Sequence, residues 1–168
     1  SDYSNEASVT TSSGTPNAPT NLNAILDAVD SSGTIVISWI DNADNEMGFY
    51  LNRKQTNNDW IEIAPLLPNA TSFMDTGLVD GTKYFYQIFA WNNNGNSSFS
   101  NIDSAITIMN PPTNLIAENP QTNRVFLTWT DNSMSEGGYI VERQNGVNAP
   151  VPNFVPIATV SANETTYT

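Results

Sequence analysis

Along most of the chain, apolar and polar positions change places one by one. Residues 34–40 (TIVISWI) set Ile35, Ile37 and Trp39 against Val36, Ser38 and Ile40. Residues 47–53 (MGFYLNR) put Phe49 and Leu51 on one face, Tyr50 and Asn52 on the other. Residues 83–91 (KYFYQIFAW) turn Tyr84, Tyr86, Ile88 and Ala90 one way, and Phe85, Phe89 and Trp91 the other. A period of two carried by β-branched and aromatic residues predicts strands with one buried face. Helical periodicity is nearly absent. Turn-forming clusters such as DSSG (30–33), DNADNEMG (41–48), QTNND (55–59) and WNNNGNSS (91–98) interrupt the strands. Short strands broken this often predict an antiparallel β-sandwich.

The pattern occurs twice. Residues 38–53 (SWIDNADNEMGFYLNR) align without a gap on 128–143 (TWTDNSMSEGGYIVER). Trp39 matches Trp129, Asp41-Asn42 matches Asp131-Asn132, and Glu46, Gly48 and Arg53 match Glu136, Gly138 and Arg143. At the ends, 1–11 (SDYSNEASVTT) is similar to 97–107 (SSFSNIDSAIT). Such a separation is too long for a solenoid unit and suits one small globular domain.

These residues resemble the fibronectin type III family. Its proline-rich A strand is matched by 17–28 (NAPTNLNAILDA) and again by 110–119 (NPPTNLIAEN), and its strand B tryptophan by Trp39. The repeated segment is similar to the bacterial form of the C strand, W-x-D-(loop)-E-x-G-(Tyr/Phe)-x-(Ile/Leu)-x-R. Within 75–98, Leu78 matches the buried corner leucine and Tyr84 the tyrosine-corner residue. The resemblance implies an all-β chain of immunoglobulin-like antiparallel β-sandwich beads in tandem. Residues 1–11 would be the last strand of a preceding repeat, 17–107 a complete domain, and 110–168 the N-terminal part of a further one. That last part would lack strands F and G and expose an apolar face. A core of Trp39, Phe49, Leu51, Leu78, Tyr84, Tyr86 and Ile88 is expected in the complete bead.

Composition narrows the chemistry. The chain of 168 residues has no cysteine and no histidine, which excludes disulfides, Ser-His-Asp and Cys-His catalysis, and histidine-ligated metals. Seventeen acids against five bases leave a net charge of −12, which disfavours nucleic acid and anionic membranes. No apolar run is long enough to span a bilayer. Asparagine occurs 24 times, so surface and turns stay solvated without added charge.

Three sets of residues invite a functional reading. Asp41, Asp44 and Glu46 crowd one loop, as calcium ligands do. They lack the D-x-D-x-D-G spacing, so the favoured reading is structural: Asp41 caps the loop and the glutamate pairs with the strand C arginine. Tyr50, Phe85, Phe89 and Trp91 are expected to face outward on adjacent strands, as a contact face for sugars or a packing partner. Trp60, matched by Phe154, is expected to be half-buried. Asn69, Asn96 and Asn163 head N-x-S/T sequons, which matter if the protein is exported and glycosylated.

The expected function is non-catalytic: an extracellular or cell-surface repeat module serving as spacer, adhesin stalk or filament component. The alternatives are a self-assembling filament subunit completed by strand exchange and an accessory module of a secreted polysaccharide-degrading enzyme. No cofactor is expected. Expected partners are neighbouring repeats, copies of itself, or glycans.

Overall fold

The computed structural model describes residues 14–27, 33–144 and 153–168. The segment 1–11, expected as a last strand, therefore lies outside the described residues. All regular structure among the described residues is β. Two compact units are formed. The first holds the described residues up to Thr76 together with Lys83–Ile106; the second holds Gly77–Thr82 and the described part of Thr107–Thr168.

The first unit contains β1 (Thr20–Leu26), β2 (Ile35–Ile40), β3 (Gly48–Gln55), β4 (Ile61–Leu66), β5 (Ser72–Asp75), β6 (Lys83–Asn92), β7 (Gly95–Asn96) and β8 (Asp103–Ile106). One sheet has the order β1-β2-β5; the other runs β4-β3-β6, with β7 and β8 both pairing β6. Every pairing is antiparallel. The alternation read from the sequence is the alternation of burial. Ile35, Ile37, Phe49, Leu51, Tyr86 and Ile88 are inaccessible to solvent, and Trp39 and Tyr84 nearly so. Trp39 of β2 meets Phe49 of β3 at 5.9 Å between ring centroids, which joins the two sheets through apolar contact. Leu78 departs from the expected core. It is half-buried and sits in the turn Gly77–Thr82, which packs with the second unit.

Polar ties complete the join. Asn101 accepts the Leu22 N–H at 2.9 Å and donates to the Leu22 carbonyl at 2.8 Å. Asp103 accepts the Ala24 N–H at 2.9 Å. The backbone of β1 is thus held by side chains from the strand region that pairs with β6, and its buried N–H groups are satisfied.

The second unit contains β9 (Thr113–Gln121), β10 (Arg124–Thr130), β11 (Gly138–Gln144), β12 (Phe154–Ser161) and β13 (Thr166–Tyr167). Its sheets are β13-β10-β9 and β11-β12. β13 pairs β10 as β5 pairs β2, and the Trp129 N–H meets the Thr165 carbonyl at 3.1 Å just as Trp39 meets Thr71. Trp129 packs on Tyr139 at 5.4 Å, and Val141 is buried beside them. Among the described residues, no strand plays for this unit the part that β6 and β8 play for the first.

Asparagine does much of the turning. All six non-glycine residues with positive φ among the described residues are asparagines. Asn21 and Asn114 (φ 52° and 54°) lie at the starts of β1 and β9, and Asn69 and Asn163 (φ 60° and 61°) precede β5 and β13. Asparagine tolerates this left-handed region at little steric cost.

Candidate functional site

The acidic loops recur in both units with the same bonds. Asp41 accepts the Ala43 N–H at 3.0 Å, and Asp131 accepts the Ser133 N–H at 3.0 Å. Asn42 donates to the Ala18 carbonyl and to the Thr20 hydroxyl; Asn132 donates to the Pro111 carbonyl and to the Thr113 hydroxyl. Glu46 accepts the Asn69 N–H at 3.0 Å, and Glu136 accepts the Asn163 N–H at 2.9 Å. The motif is a scaffold that binds the start of β1 or β9, the loop itself and the turn before β5 or β13. Asp44 is exposed, and no cluster of three or more acids able to hold a metal ion occurs among the described residues.

The expected pairing of the glutamate with the strand C arginine is not what forms. Arg53 instead donates to both carboxylate oxygens of Asp75 at 2.8 Å, and Tyr86 donates its hydroxyl to the same carboxylate at 2.9 Å. Asp75 lies 22 residues from Arg53, on the opposite sheet, so neither spacing nor pattern could reveal it. Burial, then the Asp75 charge, pushes the Tyr86 hydroxyl far above the ordinary tyrosine range.

Tyr50, Phe85, Phe89 and Trp91 share the outer face of the β3–β6 pair. Register sets Tyr50 opposite Phe89, Gly48 opposite Trp91, and Lys54 opposite Phe85. All four aromatics are half-buried rather than fully exposed. Part of their cover is mutual: Tyr50 lies 5.5 Å from Phe89 and stacks on Trp91 at 5.8 Å, and Phe99 meets Phe89 edge-on at 5.2 Å. Gly48 makes the Trp91 end possible. A Cβ there would collide with the Leu66 carbonyl and press on the Trp91 indole, and its φ of 153° disfavours any other residue.

The opposite end of that face carries what the hydropathy pattern misses. Lys83 lies 4.9 Å from the Phe85 ring centre, and Lys54 lies 5.7 Å from it and 5.1 Å from that of Trp60. Two of the chain's five basic residues thus converge on one ring. Between the two ends run Asn52 and Gln87, directly opposite one another; the Asn52 Oδ1 is buried without a hydrogen-bond partner. Trp60 is half-buried, as its position implied, whereas its counterpart Phe154 is exposed. The sequon asparagines Asn69, Asn96 and Asn163 are all exposed, the first and third at the paired left-handed turns.

Asp80 is a further polar centre that sequence reading passed over. Within the second unit it accepts the Asn110 and Met134 N–H groups, each at 3.0 Å. Burial alone would raise its carboxyl, but the hydrogen bonds it accepts hold it below the usual range.

Two sheets joined over a tryptophan core, with this strand order, define an immunoglobulin-like sandwich. Residues 17–105 match the family description "Fibronectin type III domain", and the chain belongs to that family. Among solved structures, a two-domain fibronectin type III segment of chicken tenascin is similar with a TM-score of 0.72 at 20% identity, over 89% of this chain and 80% of that one. That likeness concerns the fold alone. A Kelch domain-containing protein of Saccharolobus solfataricus is 34% identical over 66% of this chain and 13% of its own length. Protein sidekick-1 of Gallus gallus is 25% identical over 72% of this chain and 6% of its own. The chain therefore spans a small fraction of these relatives. Domains of this family are generally non-catalytic modules and are common in extracellular and cell-surface proteins. No described helix is long and apolar enough to cross a membrane.

Proposed function

We propose that the chain is a non-catalytic part of an extracellular repeat array, a surface spacer, adhesin stalk or filament component. In this reading the outer face of β3 and β6 makes contact with a partner. The observation that carries it is the division of labour in the first unit. The repeated acids and asparagines are consumed in holding its own strands together, while Tyr50, Phe85, Phe89 and Trp91 remain half-open on one surface. Aromatic side chains that keep accessible area beside a fixed scaffold suit recognition, because few rotamers are lost on contact. Catalysis finds no support in acids bound to backbone N–H groups.

Two experiments test this. Labelling of intact cells with an antibody to the chain should succeed, and failure under conditions that label a known surface protein would overturn the location. Replacing Phe85, Phe89 and Trp91 together by serine should abolish adhesion or assembly of the parent protein. Unchanged adhesion and assembly would remove the face from the account. Intact mass of the native protein decides whether Asn69, Asn96 or Asn163 carries a glycan.

A further inference from the structure

Charge is unevenly spent on the outer face of the first unit. The protein has a net charge of −12, yet Lys54 and Lys83 sit together over Phe85 and form no ion pair among the described residues. Glu62 belongs to the same face. It is exposed on β4, the edge strand of the sheet, opposite Asn52 and one row from Lys54. It too lacks an ion pair among the described residues, because Lys54 lies over Trp60 and Phe85 instead of reaching it. One face thus holds two cations on one side, an anion on the other, and half-buried aromatic rings with an unpartnered amide oxygen between.

We propose that this face pairs with the same face of a second copy of the chain. The proposal rests on the contact role given above and names its partner. A surface that carries both signs is self-complementary under two-fold symmetry: each copy offers its lysines to the other's Glu62, and both contacts form at once. The aromatics Trp60 and Phe85 supply the apolar centre that such an interface needs. Long-range repulsion between two acidic molecules opposes the pairing only where salt is low. The screening length is about 30 Å at 0.01 M, about 8 Å at 0.15 M and about 3 Å at 1 M. Association should therefore be strongest at intermediate salt, where net charges are screened from each other but touching charges still attract.

Sedimentation of the 168-residue chain over a concentration series at these three salt levels tests this. The expected result is a dimer that is most populated near 0.15 M. Lys54→Glu with Lys83→Glu should weaken it about tenfold or more, and Glu62→Lys should do the same. Each altered chain should pair poorly with itself, but an equimolar mixture of the two should form a mixed dimer. That rescue distinguishes lost contact from lost fold. A monomer at every salt level overturns the proposal. So does association that strengthens steadily up to 1 M salt and ignores all three substitutions, since it would come from an apolar surface elsewhere. A monomer retained on an immobilised neutral polysaccharide through Phe85 overturns it as well, in favour of a glycan occupant. Each of these outcomes leaves the surface-location test untouched, so the broader reading can stand when this one fails.

Discussion

Leu22 and Leu115 occupy the same place in the two units. Each follows a left-handed asparagine at the start of strand A, yet Leu22 is 3% exposed and Leu115 is 69% exposed. Their local conformations agree, and so do the bonds made by Asn42 and Asn132, and by Glu46 and Glu136. What differs is the second sheet. In the first unit β6 and β8 close over β1 and β2, whereas Leu115, Leu127 and Trp129 in the second line an open apolar groove. The repeated motif therefore builds the frame of a unit, and the burial of that frame comes from β6 and β8. Covering one leucine contributes about 1.5–3 kcal/mol, so this contrast favours the first unit.

The two tryptophans should differ most in what they contribute. Trp39→Ala removes a ring packed between two complete sheets and should cost the first unit about 3–5 kcal/mol. Trp129→Ala removes a ring beside the groove and should cost the second unit about half as much or less. Urea unfolding followed by residue-resolved amide exchange separates the two. Equal costs would mean that the exposure difference has no energetic weight.

The Asp75 cluster is the next strongest lever. Asp75→Ala leaves Arg53 and Tyr86 without their shared acceptor between the sheets. Arg53 is partly solvated, so the loss should be about 2–4 kcal/mol and confined to the first unit. Loss of exchange protection in the second unit on the same substitution would show that the units do not fold independently.

The paired glycines of the two units should behave alike. A Cβ at Gly48 collides with the Leu66 carbonyl, and one at Gly138 collides with the Val160 carbonyl. Both residues have a left-handed φ, 153° and 139°. Gly48→Ala and Gly138→Ala should each destabilise their own unit by about 1–3 kcal/mol. A neutral Gly138→Ala beside a costly Gly48→Ala would break the equivalence of the two frames.

Much of this frame could be read from the chain. Period-two alternation placed Ile35, Ile37, Phe49, Leu51, Tyr86 and Ile88 inside, because a pleated strand allows no other way to bury every second side chain. That Tyr50, Phe85, Phe89 and Trp91 share one side of the sheet could be read for the same reason, but not that they partly cover one another. The partners of charged residues could not. Glu46 finds a backbone N–H at Asn69 and Arg53 finds Asp75, and those separations of 23 and 22 residues are set by how the sheets stack. Lys54 and Lys83 meet on Phe85 only because β3 and β6 pair in one register. Leu78 lies outside the first unit's core because its turn, Gly77–Thr82, belongs to the second unit, which a family pattern does not reveal.

Asp80 offers the smallest effect and compares the units by their response to acid. Its carboxylate holds the Asn110 and Met134 N–H groups of the second unit. Burial disfavours the charge, but the hydrogen bonds the carboxylate accepts together outweigh it, and the folded-state pKa lies below the ordinary value of 3.8. A carboxyl whose pKa is depressed by folding stabilises the fold fully above its unfolded pKa. The contribution is lost as pH falls through the lower, folded value. Neutral Asp80 keeps one acceptor but no charge, so both N–H bonds weaken. Amide exchange at Asn110 and Met134, corrected for its intrinsic pH dependence, should therefore lose protection as pH drops below 3.8. In Asp80→Asn these amides should start less protected, and that acid-dependent step should disappear. Leu22 provides the internal control in the first unit. Its N–H is held by the Asn101 amide, which does not titrate, so its protection should persist until that unit unfolds as a whole. If Asn110, Met134 and Leu22 lost protection together, and did so equally in Asp80→Asn, the acid response would belong to global unfolding and Asp80 would have no separate part in it.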